Sequence, residues 1–420
     1  MNIYLIISKL MKANAIFAVL GLSISIIVAR ELGPLFKGEL TLFLLVSSIF
    51  SLSMRFGLDT SIIRYLKNEG ANFSLAKHSM YLALMIIFSL LFLLYLLTSY
   101  FDNIFYFFNN QKYYYFLYVL IPLEVIGILI ASYLLGSNKI SIYSVSIILQ
   151  PALLLIMLGM FLIFGVELDV WNVITLTVIS FFIKLIYLIY KTRHLFSSSE
   201  RYSLNQSLGL FRFGLKSHIG NIIDFFIIRT DILLIAFFIG IEAVGVYSIA
   251  ALAEKVNIIS GSIGSAVFSK IKSSNDSSLV NQIIRVTLPF LLMIIFLAII
   301  LSEYFLLLIF GESFQNAIQP FIILIVGFSV LFISKPIKAY LIVVDRPILL
   351  TYSSTLALFC NVIFNILLIP DYGLIGAAIS TTLANSIYVI CLLGYYKKYA
   401  LINFKNVFLL RKNDFKEIFQ

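Results

Sequence analysis

Charge is scarce in this chain. Asp, Glu, Lys and Arg make up 12% of its 420 residues, where a soluble domain carries about 25%. Cysteine is scarcer still. Cys360 and Cys391 both sit in apolar stretches, so they read as small hydrophobes and no disulfide framework exists. His78, His194 and His218 are scattered in or beside polar breaks, with no metal-ligand spacing among them. There is no phosphate-cradling glycine loop, no pair of catalytic carboxylates in a loop and no nucleophile elbow. These absences exclude a soluble globular fold, a disulfide scaffold, a metal centre and the commoner hydrolases. An enzyme is not expected. Without a nucleotide site, uphill work would have to draw on an ion gradient, a substrate gradient or a partner. No cofactor is expected, although a proton or sodium ion is a candidate for coupling.

What fills the chain instead is apolar. Hydrophobic residues are 61% of the total, and the mean hydropathy is +1.05. About twelve stretches of roughly 20 apolar residues follow one another, each long enough to cross about 30 Å of hydrocarbon as a helix. Barrel strands would be about ten residues long and alternating. The expected fold is therefore an all-α polytopic membrane protein. Its spans are expected at 11–29, 40–56, 79–100, 113–136, 140–164 and 170–190, and then at 217–239, 243–268, 287–310, 317–343, 347–369 and 373–396. The first run follows Lys9 and Lys12 and ends at Arg30-Glu31 without a small-x-small cleavage site, so it reads as a span rather than a signal peptide. The longest polar insert, 191–216, splits the spans six and six. The division expected is a first six-helix bundle over 1–190, a cytoplasmic linker over 191–216, a second bundle over 217–396 and a basic tail over 397–420.

The net charge of +10 is a topology signal. With the N-terminus inside, 21 of the 30 Lys and Arg fall on the inner side. Only Arg30, Lys37 and Lys112 fall in outer loops, and six lie within spans. By the positive-inside rule both termini are cytoplasmic, and nucleic acid is not an expected partner. No outer loop exceeds about a dozen residues, which leaves no room for an extramembrane domain.

The halves also repeat. Ala29-Arg30-Glu31-Leu32-Gly33, then Gly38, matches Ala236-Phe237-Phe238-Ile239-Gly240, then Gly245, 207 residues later. Parallel repeats with a substrate site between them are a transporter pattern. The competing explanation is two unrelated tight turns that each need glycine.

A charge in the hydrocarbon costs at least about 2.5–3.5 kcal/mol, so intramembrane charges usually face a protein-lined cavity. In the seventh span Ser217, Asn221, Asp224 and Asp231 share one helical face, with Arg229 off it. Glu254, Asn257, Gly261 and Gly264 run along one flank of the eighth, beside Ser248, Lys255 and Ser262. Lys335 and Lys338 flank Pro336 in the tenth, and Glu124 follows Pro122 in the fourth. Arg55 and Lys184 lie nearer the inner ends of their spans, where snorkelling competes with a cavity role. Ser354, Asn361 and Asn365 share a face of the eleventh, and Thr381 and Asn385 lie in the twelfth. Each of these residues has two readings. As cavity lining, Arg229, Lys255, Lys335, Lys338, Arg55 and Lys184 would meet an anionic substrate. Asp224, Asp231, Glu254 and Glu124 would bind a coupling ion, and Asn221, Asn257, Asn361 and Asn365 would face sugar. As structural glue, the same groups would pair with one another and lock helices together. Both readings stay open at this stage.

Several segments carry a resemblance. Ala29 to Pro34 with Gly38, Phe56-Gly57-Leu58 and Ser61 to Tyr65 resemble the opening signatures of the polysaccharide flippase family. That family belongs to the superfamily that also includes multidrug and toxic-compound exporters. The resemblance continues through Phe213-Gly214-Leu215, Asp231 to Leu234, Gly245 to Ser248, Gly311 to Phe314, Asn365 to Pro370 and Gly376-Ala377-Ala378. One departure is Leu40, where the family often has an aromatic and the second copy keeps Tyr247. The resemblance implies two six-helix bundles forming a V around a central cavity. It implies movement of a polyprenyl-diphosphate-linked oligosaccharide from the cytoplasmic to the outer leaflet, for O-antigen or other cell-surface polysaccharide. It also implies the bilayer as a partner, glycan polymerases or glycosyltransferases as possible neighbours, and a bacterial plasma membrane as the location. Family motifs mark fold more than substrate, so no binding residue is carried over. Three rivals remain. An ion-coupled exporter of drugs or other small molecules has the same architecture. A membrane polysaccharide polymerase would need a large outer loop. A scaffold without transport would have no use for both Asp and Arg in the seventh span.

Overall fold

The computed structural model describes residues 3–69, 110–193, 204–257 and 278–400, with scattered residues between 81 and 96. Half of the span expected at 79–100 lies outside the described residues, as do residues 194–203 of the linker, Gly261, Ser262 and Gly264 of the eighth span, and the tail beyond 400.

Among the described residues the regular structure is helical: α1 Ile3–Arg55, α2 Leu58–Glu69, α3 Lys112–Gly136, α4 Ile140–Ile163, α5 Val170–Thr192, α6 Leu204–Phe238, α7 Ile241–Ala250, α8 Ser278–Phe310, α9 Ile318–Val343 and α10 Ile348–Ala400. Short 3₁₀ segments follow α7 (Ala251–Lys255) and precede α9 (Glu312–Ala317). Seven of the described helices are long and apolar enough to cross a membrane. Large apolar side chains such as Phe88, Ile163, Phe296 and Tyr304 stand exposed on the outer faces. In water such a surface would be a liability; in hydrocarbon it is the solvent-facing surface. The chain is a multi-pass membrane protein.

Three points refine the expected elements. First, the spans expected at 11–29 and 40–56 are two helices, as expected, and they meet directly at a kink at Gly33 (φ 70°, ψ −179°) with no intervening loop; both are counted within α1. A straight helix of 53 residues would be about 80 Å long, far more than one crossing needs. Gly33 takes up the bend alone, and Pro34 opens the second limb where its missing N–H costs nothing. The runs 347–369 and 373–396 are likewise limbs of α10, bent at Gly373 (φ 56°). Second, residues 191–216 are not all linker, because α5 reaches Thr192 and α6 already begins at Leu204. Third, α2 fills part of what reads as a polar inner loop. Leu58, Ile62 and Leu66 are buried at i, i+4 and i+8, the stripe of an amphipathic helix.

The repeat extends well beyond the glycine motif. Gly33 and Gly240 both adopt positive φ, with ψ of −179° at each. Asn138 (φ 56°) and Asp345 (φ 58°) lie 207 residues apart. Gly165 (φ 67°) and Gly373 (φ 56°) lie 208 apart. Positive φ at a non-glycine residue is uncommon, so matched Asn and Asp turns at this spacing point to a true internal repeat rather than independent tight turns.

The described chain separates into two compact units, Met1–Ile222 and Ile223–Gln420, the division falling within α6. In the first, Tyr113 of α3 packs on Trp171 of α5 with centroids 4.5 Å apart, and its hydroxyl donates to Glu39 at 2.5 Å. There, too, α2 is tied to the start of α6. Ser61 Oγ donates to the Leu210 carbonyl at 2.8 Å, and the Arg64 guanidinium sits 4.1 Å over the Phe213 ring. Gly57 and Gly214 bring the two backbones together, because a Cβ on either would overlap the other segment. In the second unit, Ile284 of α8, Ile337 and Leu341 of α9, and Val389, Leu392 and Tyr396 of α10 form a buried cluster, within which Tyr340 and Tyr396 meet edge to face at 5.2 Å.

Candidate substrate cavities

Each unit holds a partly open cavity of its own, largely apolar in lining, into which a few polar side chains are set. In the second unit a chamber of about 280 Å³ is lined by Asp224 from α6, Glu254 and Asn257 from the segment after α7, Lys335 and Lys338 from α9, and Asn385 and Tyr388 from α10. Lys335 and Lys338, three residues apart, share one wall of α9. Lys338 Nζ lies 5.1 Å over the Tyr388 ring, a contact that holds an ammonium without neutralising it. Glu254 reaches the wall because the chain tightens from α to 3₁₀ geometry over Ala251–Lys255. Arg229 Nη1 approaches Glu254 at 3.7 Å. The pair is partly exposed, so it contributes little stability, but it fixes where the carboxylate sits.

In the first unit a chamber of about 350 Å³ is lined by Ser25, Lys37 and Ser48 from the two limbs of α1, by Glu124, by Gln150, and by Thr177 and Phe181. The bend at Gly33 turns Lys37 back so that its Nζ donates to Ser25 Oγ at 3.2 Å. Glu124 accepts from Ser47 Oγ at 3.2 Å and is within electrostatic reach of Arg55 and Lys184. Gln150 Nε2 donates to Ser180 Oγ at 3.1 Å.

Of the residues singled out in the sequence, Asp224, Glu254, Asn257, Lys335 and Lys338 are brought together in one chamber and Glu124 lines the other. Arg229 stands behind Glu254. Lys255 ends the 3₁₀ segment with its side chain exposed and is absent from the wall. Arg55 is held by Asp59 at 3.0 Å and donates through Nε to the Ser51 carbonyl at 3.1 Å. Lys184 lies 5.5 Å over the ring of Phe181, a wall residue of the first chamber. Asn221 is half-buried in the part of α6 that belongs to the first unit, off both walls.

The remaining three form a network of their own. Asp231 is 5% exposed and accepts from Tyr247 Oη at 2.7 Å, from the Ile232 N–H at 2.8 Å and from Thr381 Oγ1 at 3.5 Å. Asn361 Nδ2 donates to Thr381 Oγ1 at 3.4 Å, and Asn365 Nδ2 donates to Asn361 Oδ1 at 3.1 Å. Asn361 and Asn365 are 1% and 0% exposed. Their amides hold protein groups together from inside the helix packing, away from the chamber wall; only Thr381 belongs to both.

Sequence reasoning passed over Lys37, Gln150 and Tyr388. Lys37 is counted there among outer-loop charges, and the structure moves it to a cavity wall. Gln150 precedes Pro151 inside an apolar span, much as Glu124 follows Pro122, and that parallel was available. For Tyr388 no sequence signal separates a wall aromatic from a core one.

Comparison with known proteins places these cavities in context. Residues 6–269 match the family described as polysaccharide biosynthesis protein. One relative is the probable low-salt glycan biosynthesis flippase Agl15 of Haloferax volcanii, 23% identical over 222 residues. The match covers 50% of this chain and 46% of that protein, so the chain spans about half the length of that relative. Among solved structures, the lipid II flippase MurJ in an inward closed conformation aligns with a TM-score of 0.75 at 16% identity, over 97% of this chain and 89% of that one. An inward-facing multidrug resistance transporter of the MATE family aligns with a TM-score of 0.69 at 16% identity, over 92% and 94%. At that identity the likeness shows the fold, which is the fold of these membrane transporters. With the family matched across more than half its length, the chain belongs to the polysaccharide biosynthesis protein family.

Proposed function

We propose that the protein is a flippase that moves a polyprenyl-diphosphate-linked oligosaccharide from the cytoplasmic to the outer leaflet of a bacterial plasma membrane. The observation that carries this reading is the chamber of the second unit, a largely apolar cavity with two lysines and two carboxylates on its wall, inside a chain of this family. A glycan headgroup taken through hydrocarbon needs hydrogen-bonding groups along its path. Its diphosphate needs cations, because an unpaired charge in low dielectric is prohibitive. Sugar and diphosphate enter the polar passage while the polyprenyl tail stays in lipid. With six spans in each half and both termini cytoplasmic, the repeats would be parallel, one of the arrangements on which alternating access is built. Lys335 and Lys338 are the foremost cations for the substrate. Arg229 and Lys255 in the second unit, and Arg55 and Lys184 in the first, are the further cations this reading would enlist. Glu124, Asp224, Asp231 and Glu254 are the acids from which a proton or sodium ion would couple transport to a gradient.

Deleting the gene in its host separates this reading from export of small molecules. Expected are loss of surface glycan and accumulation of the lipid-linked oligosaccharide in membrane extracts. Unchanged surface glycan together with a raised sensitivity to toxic compounds would instead identify a small-molecule exporter.

A further inference from the structure

We infer that the protein pairs with a second copy of itself along α8, the Tyr304 hydroxyl of each copy donating a hydrogen bond to the Glu303 carboxyl group of the other. The inference does not depend on what the cavities carry.

Glu303 stands in an unexpected place. From Leu288 to Phe310 the sequence is apolar except for Ser302, Glu303 and the phenol of Tyr304, and Glu303 is its one charged residue. As a helix this run is about 34 Å long, and Glu303 falls about 6 Å from its midpoint. The outer end of α8 is about 10 Å away, and reaching out to the interface is a habit of the longer Lys and Arg side chains. Glu303 is exposed. It shares a helical stripe with Phe296 and Ile300, which are 64% and 58% exposed, so its surroundings in a membrane are hydrocarbon. An ionisable group there is costly and ordinarily faces a cavity or a partner. Glu303 lines neither chamber, and it has no ion pair or hydrogen bond among the described residues.

The fold does not ask for an acid at this place. The matching span of the first half, 79–100, contains no charged residue, and Leu96 stands 207 residues before Glu303. The repeat therefore builds the same helix from apolar residues alone.

The neighbouring residue identifies the partner. Tyr304 is 71% exposed, and its hydroxyl likewise has no partner among the described residues. At one depth, then, α8 presents an unsatisfied acceptor beside an unsatisfied donor. Copies of one membrane protein insert in the same direction, so a two-fold axis relating two of them runs along the membrane normal. The two α8 helices are then parallel, with equal residues at equal depth. A two-fold contact is self-complementary and makes the donor–acceptor pair twice. A foreign helix bearing a basic residue would answer Glu303 but leave the phenol unpaired. Between membrane helices, where hydrocarbon is no worse a neighbour than leucine, hydrogen bonds of this kind and close packing hold the pair together. Ile300, one turn before both residues, lies at the centre of that contact.

The test counts copies of the purified full chain in vesicles of phosphatidylethanolamine and phosphatidylglycerol, by single-molecule photobleaching, as the protein is diluted into lipid. Pairs are expected at high density and single copies on dilution. Glu303→Leu and Tyr304→Phe should each raise the density at half-pairing at least about tenfold, because each removes both hydrogen bonds. Glu303→Gln keeps an acceptor oxygen and should stay near wild type. A second measurement holds if a variant does not fold. Ile300→Cys, in a chain with Cys360→Ser and Cys391→Ser, should be crosslinked by a bismaleimide in native membranes to a species of twice the mass. Single copies at every density overturn the inference, as do pairs indifferent to both substitutions. A missing crosslink at Ile300→Cys overturns it too. So does a crosslink to a different protein, which would assign the face to a foreign partner.

Discussion

Replacing Gly57 with alanine is expected to keep the protein from accumulating in folded form. Two costs coincide at this position. Its φ is +69°, a region in which an L-residue loses about 1–2 kcal/mol. A Cβ there would also overlap the Gly214 carbonyl and crowd Ser217 Oγ, and overpacking of this kind costs typically about 1–3 kcal/mol. The backbone oxygen cannot swing aside as a side-chain tip would. Gly214→Ala carries the steric part without the conformational one. Its Cβ would stand 2.8 Å from the Phe56 carbonyl oxygen, so a smaller but clear loss is expected. Gly220→Ala, in the same helix with nothing within 4 Å of the added carbon, should be neutral or slightly stabilising, because alanine is the better helix former. Yield of monodisperse protein from membranes should therefore rank Gly220→Ala at or above wild type, then Gly214→Ala, then Gly57→Ala. Equal yields for all three would mean that the α2–α6 contact is not as close as described.

Asp231→Ala should destabilise the second unit by roughly 2–6 kcal/mol, because it strands two buried donors at about 1–3 kcal/mol each. The Tyr247 hydroxyl, 0% exposed, and the Thr381 hydroxyl, 4% exposed, would both lose their shared acceptor. Asp231→Asn retains an oxygen for Tyr247 and should keep most of the stability. The comparison separates two roles for this side chain. Should Asp231 serve only to bind the helices together, the asparagine variant folds and still transports. Should its charge hold a coupling ion, the same variant folds and transports poorly. Melting temperature in detergent, read beside surface glycan in cells, distinguishes the two. A stable Asp231→Ala protein would contradict the network itself.

The long apolar runs were legible because a membrane crossing sets a minimum length, and the polar breaks between them were legible because charge is so rare. The turns within α1 and α10 were legible too, as breaks between expected spans; that a single glycine with positive φ makes each was not, because nothing in Arg30-Glu31 or Lys37 says that the surrounding residues stay helical. α2 was hidden by its polar composition, although the spacing of Leu58, Ile62 and Leu66 marks its buried stripe. In the sites, polarity in an apolar span shows that a group needs a partner. It does not show whether protein or ligand supplies one. Asp231 and Asn361 find theirs in Tyr247, Thr381 and the Asn365 amide N–H₂, while the Asn365 Oδ1 stays buried without a partner. Lys335, Lys338 and Asn385 look much the same in sequence, yet they stand on a cavity wall. Only side-chain geometry separates the two groups.

Leaflet distribution of the lipid-linked oligosaccharide tests the transport account most directly. Sealed right-side-out vesicles from cells that lack the glycan polymerase would be probed with a membrane-impermeant oxidant of sugar diols. With the wild-type chain, a large part of the lipid-linked pool should react. With Lys335→Gln and Lys338→Gln, expressed at equal level, the pool should stay protected. A pool that reacts to the same extent when the chain is absent would contradict the account.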